Sequence, residues 1–112
     1  MNEAVTGLLL DLGIDASYSS KSLTALAAVD SRYVTDLKLN VANTIASLNL
    51  ERREAYLLAL AVAVTEKNNT LVAAFEALAV KDGATEQEIA ETHACASLMA
   101  ANNVLYRFKH YM

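Results

Sequence analysis

Among the groups in these 112 residues that could do chemistry, the first is one thiol, Cys95, the chain's single cysteine. A nucleophilic or redox cysteine must ionise, which needs a cation or a helix N-terminus close by. Cys95 instead lies inside an Ala-rich segment, with Glu91 one turn before it and Met99 one turn after. A carboxylate at that distance disfavours the thiolate, so the sequence predicts a weakly activated cysteine buried as a packing residue. A redox thiol is the competing reading. His93 and Cys95 look like metal ligands on paper, but residues two apart on a helix point to nearly opposite sides. Helical ligand pairs sit three or four residues apart, and a structural zinc needs about four ligands. Neither His93 nor His110 has a partner at that spacing, so no metal and no cofactor are predicted.

Carboxylates and amides supply the remaining candidates. Glu51 and Glu54 share a face beside Arg52 and Arg53. As first-turn acids they would complement a helix dipole. Buried beside Tyr56, Glu54 would instead be a proton carrier with a raised pKa. Asn102 and Asn103 are poor helix formers placed mid-helix. Asn102 stands four residues before Tyr106 and Asn103 four before Arg107, so two polar pairs can form on adjacent faces. Such pairs amid Ala and Leu usually hydrogen-bond within the fold or across a subunit boundary. A ligand pocket lined by Asn102, Asn103, Tyr106, Arg107 and Glu54 is the alternative. No phosphate-cradling glycine loop, nucleophile elbow or zinc-hydrolase motif occurs.

Helices must position these groups, because apolar spacing recurs at three and four residues and never at two over a useful length. A short helix from about Glu3 to Leu12 stops at Gly13, which tolerates the left-handed cap conformation. After a polar "DASYSS" loop, Ser20 can cap a helix to about Val29, and Asp30 the next, from about Ser31 to Ser47. In the latter, Val34, Leu37, Val41 and Ile45 form one stripe. Asn49 is the expected cap of "LERREAYLLALAVAVTEK", whose apolar residues surround the axis after Ala55. Such a helix must be covered on all sides, which a domain this small cannot easily do alone. A turn at Asn68-Asn69 leads to a helix from about Thr70 to Lys81, closed by Gly83. Thr85 and Glu88 make a capping box for the last helix, Glu86 to about Lys109. Its predicted core stripe is Ala90, Ala94, Leu98, Ala101, Leu105 and Phe108. The expected fold is all-α, a bundle of about five to six helices without strands, in one domain over 1–112.

Composition excludes several functions. A net charge of −4 with scattered Lys and Arg offers no basic stripe for nucleic acid. The longest apolar run, Ala55 to Val64, is about half of the ~20 residues that span a bilayer. The N-terminus begins acidic, unlike a signal peptide, and a lone cysteine fits a reducing cytoplasm, so a cytoplasmic protein is expected. A hydrophobic fraction of 54% is high for so short a soluble chain, and exposed apolar surface normally marks association. A homo-oligomer, dimer or higher, is therefore predicted.

Three segments in order, "RYVTDLKLN" (Arg32 to Asn40), the Ala-rich helix ending at Asn68, and "ANNVLYRFKH" (Ala101 to His110), resemble the alkylhydroperoxidase D (AhpD) family of the carboxymuconolactone decarboxylase-like superfamily. Asn102-Asn103-Val104 followed by Tyr106-Arg107 carries most of the likeness, and Tyr33 with Asp36, Lys38, Leu39 and Asn40 carries the rest. In that family the full-length enzyme has two copies of one helical unit. The second copy holds a Cys-x-x-Cys at the turn into a helix, a His four residues beyond it, and a relay Glu on the preceding helix. This chain resembles the first, non-catalytic copy, and Glu54 looks like the relay position. At the corresponding turn, Lys67 to Phe75, there is neither Cys nor His. Dithiol peroxidase chemistry needs an attacking and a resolving thiol, so the resemblance implies an AhpD-like protein without intrinsic peroxidase activity. Two alternatives remain: an oxidoreductase using Cys95 with a partner thiol, or the structural half of a complex with a Cys-x-x-Cys subunit. The substrate-shaping residues of the decarboxylase branch are not recognisable here.

Overall fold

In a computed structural model the described residues form six helices. The structure describes residues 3–29, 32–46 and 49–111, and among these there is no strand. The all-α class predicted from spacing is the one observed. The helices fall into two compact units, Met1–Arg52 and Arg53–Met112.

The first unit contains α1 (Glu3–Asp11), α2 (Lys21–Ala28) and α3 (Arg32–Ile45). Gly13 ends α1 with φ 69°. Its N–H donates to the Leu10 carbonyl at 3.0 Å, and the Ile14 N–H donates to Leu9 at 2.8 Å. These two bonds satisfy carbonyls that the helix end would otherwise leave open. Ile14 then packs, with Leu23 and Leu26, on a core of Val5, Leu9 and Val34. The expected α3 stripe is its covered face: Val34 is buried, and Leu37, Val41 and Ile45 are half-buried. Lys38 of α3 runs its stem over Gly7 of α1, where a side chain would collide with it, and its ammonium lies 3.6 Å from Asp11. Ser20 precedes α2 as expected, but its side chain makes no cap bond. Asp30 lies outside the described residues.

The second unit contains α4 (Arg52–Thr65), α5 (Asn69–Lys81) and α6 (Glu86–Tyr111). The helix expected directly after Asn49 begins only at Arg52. Leu60 of α4 is fully buried, and Ala55, Tyr56 and Ala63 are buried with it, while Leu58 and Val62 stay 56% and 63% exposed. A single chain thus covers one side of a helix that is apolar all round. Gly83 (φ 98°) closes α5: its N–H reaches Val80 at 3.0 Å and the Ala84 N–H reaches Ala79 at 2.9 Å. The capping box forms in both directions. Glu88 N–H donates to the Thr85 hydroxyl at 3.1 Å, and Thr85 N–H donates to the Glu88 carboxylate at 3.0 Å.

One expectation about α6 fails. Ala90, Ala94, Leu98, Ala101, Leu105 and Phe108, read as core, are all exposed. The covered residues of α6 are Ala96, which is buried, and Glu88, Ile89, Thr92, His93 and Asn102, which are half-buried. Both sets recur every three or four residues, the second as far as Ala96, so periodicity alone does not say which of two apolar faces a chain covers by itself.

Candidate functional site

The turn between α4 and α5 is built by backbone caps. Lys67 takes the left-handed conformation at φ 58°. Its N–H donates to Val64 at 3.1 Å and the Asn68 N–H donates to Ala63 at 3.0 Å, the same closure that Gly13 and Gly83 make. Asn68 then turns from terminator to initiator: its side-chain oxygen accepts from the Leu71 N–H at 3.1 Å, the standard role of an N-cap asparagine. This turn carries neither Cys nor His, and the Asn68 side chain serves the backbone.

The sulfur is elsewhere. Cys95 lies on α6 and is exposed, so the expectation of a buried packing cysteine is corrected. Its place is a shallow groove of about 310 Å³ between α4 and α6, with Leu57, Leu58 and Ala61 on one wall and Glu88, Glu91 and Thr92 beside it. The thiol escapes burial because the covered residues, such as Thr92 and Ala96, lie to one side of it on the helix. Glu88, in the same groove, is ion-paired to Arg53.

Glu88 therefore has two partners, the Thr85 N–H and Arg53. The Thr85 N–H, chiefly, holds its carboxyl below the usual carboxylate range; partial desolvation opposes this and Arg53 adds to it. On the other side of α6, His93 Nε2 lies 2.5 Å from Glu76 Oε1 of α5. Sequence spacing found no partner for His93 because the partner is seventeen residues away, on another helix. Pairs that cross between helices carry no local signal. Glu76 also borders an open groove of about 660 Å³ between α5 and α6, with Ala73, Ala77, Val80, Ile89 and Ala90.

Glu54 sits in the first turn of α4 and is exposed. This is the place of an acid complementing the helix dipole, and the buried proton carrier is not found. Asn103, Tyr106 and Arg107 are exposed and Asn102 is half-buried, so the chain by itself builds no enclosed pocket around them. The polar residues of α6 and Cys95 lie on one helix, while Glu54 lies at the start of another. Among the described residues no cluster of three His, Cys, Asp or Glu side chains could hold a metal. Likewise, no helix there is long and apolar enough to cross a membrane.

Comparison with known proteins adds a family. The profile of the carboxymuconolactone decarboxylase family matches residues 33–108. The alkyl hydroperoxide reductase AhpD of Rhodopseudomonas palustris is 34% identical over 89 residues, which is 80% of this chain and 49% of that protein. The AhpD of Solibacter usitatus is 35% identical over 70% of this chain and 44% of its own length. A Bradyrhizobium AhpD is 37% identical over 70% and 42%. The chain thus spans about half the length of the relatives it matches. No solved structure matches.

Proposed function

The chain belongs to the carboxymuconolactone decarboxylase family, and on that premise we propose that it is an AhpD-like subunit that does not turn over hydroperoxide by itself and works as a homo-oligomer. The observation that carries this reading is the position of its single thiol, mid-helix in α6 and away from the α4–α5 turn. Hydroperoxide reduction by a dithiol has two steps. A thiolate attacks the peroxide, the O–O bond breaks, an alcohol leaves, and the sulfur becomes a sulfenic acid; a second thiol then displaces water and forms a disulfide, which an external reductant reopens. Cys95 has no second thiol among these 112 residues to resolve a sulfenic acid.

The test is hydroperoxide consumption by the purified chain with excess dithiol reductant. Consumption no faster than reductant alone, in wild type and in Cys95→Ser, is the expected result. Fast turnover that survives Cys95→Ser would refute the reading. Support for the oligomer comes from Leu58 and Val62, which one chain leaves exposed; a stable monomer at micromolar concentration in sedimentation would remove it. On the unpaired thiol, we assign the protein to a reducing cytoplasm.

A second reading is favoured by the exposure of Cys95: an oxidoreductase in which the thiol of a partner subunit, or an external thiol, resolves the sulfenic acid. It predicts turnover that is lost in Cys95→Ser; equal, negligible turnover in both proteins would end it. As the structural half of a complex with a Cys-x-x-Cys subunit, the chain would instead co-purify with that subunit, and repeated failure to do so would count against that arrangement.

A further inference from the structure

The stripe of α6 that this chain leaves open has the form of a coiled-coil seam. Ala94, Leu98, Ala101, Leu105 and Phe108 recur at alternating steps of four and three residues, the spacing at which two helices pack side by side. Leu98, Leu105 and Phe108 are 61%, 63% and 64% exposed. As far as Ala96 the covered side of α6 is the opposite one, since Ala96 and Leu98 stand about 200° apart at about 100° per residue; beyond Ala96 only Asn102 is half-buried, and Met99, Val104 and Tyr106 are exposed as well. The covered side is held by the contacts of Glu88 with Arg53 of α4 and of His93 with Glu76 of α5.

Size and charge along the seam select its occupant. Laid antiparallel on a copy of itself about Ala101, the seam sets Leu98 against Leu105 of the partner subunit. Ala94 then meets Phe108 of the partner subunit, a small residue receiving a bulky one, as interdigitating layers require. The first turn of α6 carries Glu86 and Glu88 and its last turn Lys109 and His110. Glu91 and Lys109 fall on the seam's own face, so the antiparallel arrangement brings Glu91 toward Lys109 of the partner subunit. A parallel arrangement would stack like charges instead. The two-fold axis makes the contact self-complementary and closed. We infer that α6 docks on the α6 of a second copy of this chain, antiparallel and centred on Ala101. This names the surface of the homo-oligomer proposed above and rests on that reading. Asn102 flanks Ala101 at the middle of the seam, where its amide can reach across.

The test uses the full chain in a Cys95→Ser background. Ala101→Cys should cross-link to a dimer under mild oxidation. Phe108→Cys should not, because its two copies would lie about 21 Å apart along the pair at 1.5 Å per residue, whereas Phe108→Cys combined with Ala94→Cys should. In sedimentation, Leu98→Lys should raise the dissociation constant at least about tenfold. Glu91→Lys should weaken the pair, and the double change Glu91→Lys with Lys109→Glu should restore it. Circular dichroism confirms that each variant keeps its helices, as substitution on an exposed face allows. Cross-linking at both 101 and 108 would mean a parallel pair and overturn the inference. An oligomer indifferent to Leu98→Lys, with no link at 101, would overturn it and leave the homo-oligomer standing. A monomeric wild type would remove both. A different protein retained by wild type and lost on Leu98→Lys would replace the second copy as occupant.

Discussion

Lys67 does a glycine's work without being one. At φ 58° its Cβ meets the steric cost that makes left-handed residues uncommon, about 1–2 kcal/mol. Glycine would avoid that cost but lose more chain entropy on folding. Lys67→Gly should therefore stabilise the protein by about 0.5–1 kcal/mol, read as a higher urea midpoint at unchanged slope. An unchanged or lower midpoint would show that the lysine side chain compensates locally. Glu88 is the residue that sets an acid dependence. Its folded carboxyl lies below the ordinary value, so its contribution is fully present above the unfolded pKa, about 4.3. That contribution is lost as pH falls through the folded value. Glu88→Gln should lower the melting temperature at neutral pH, and the gap to wild type should close in acid. A gap that persists well below the carboxylate range would mean that Glu88 acts through packing alone.

Among the elements, α4 offers the sharpest contrast between neighbours. Leu60 is fully buried and Leu58 is more than half exposed. Leu60→Ala should cost about 2–5 kcal/mol, measured by chemical denaturation, and Leu58→Ala should fall within about 0.5 kcal/mol for the isolated chain. Equal losses would mean that Leu58 is covered in solution, which is what self-association through α4 would produce. How much of this was legible beforehand depends on the range of each cause. Gly13, Gly83 and the Thr85–Glu88 box act within a few residues, and their spacing placed three helix ends correctly. The α3 stripe was also readable, because α3 has one apolar face. Ser20 marks the start of α2 by its extended backbone alone, since its hydroxyl makes no cap bond. The stripe of α6 was misassigned because that helix carries two apolar faces, and sequence counts faces without ranking them. Cys95 and the Glu76–His93 pair follow from the same limit: which side of a helix meets its neighbour is a tertiary fact.

At the scale of the molecule, the apolar residues that one chain cannot cover should decide how stability depends on concentration. Leu98, Leu105 and Phe108 lie along a single line on α6 and remain mostly exposed, more than scattered surface apolar residues require. If a second copy covers that line, association is coupled to folding by mass action. The melting temperature of wild type should then rise with protein concentration across the dissociation range. A Leu98→Lys variant buries nothing further on association, so its melting temperature should stay constant over the same series and meet the wild-type curve at high dilution. The convergence separates the two causes, because damage to the fold of the single chain would lower the variant at every concentration, including the most dilute. Parallel curves for the two proteins would therefore assign Leu98 to the chain's own core, against its exposure, and take the seam out of the assembly.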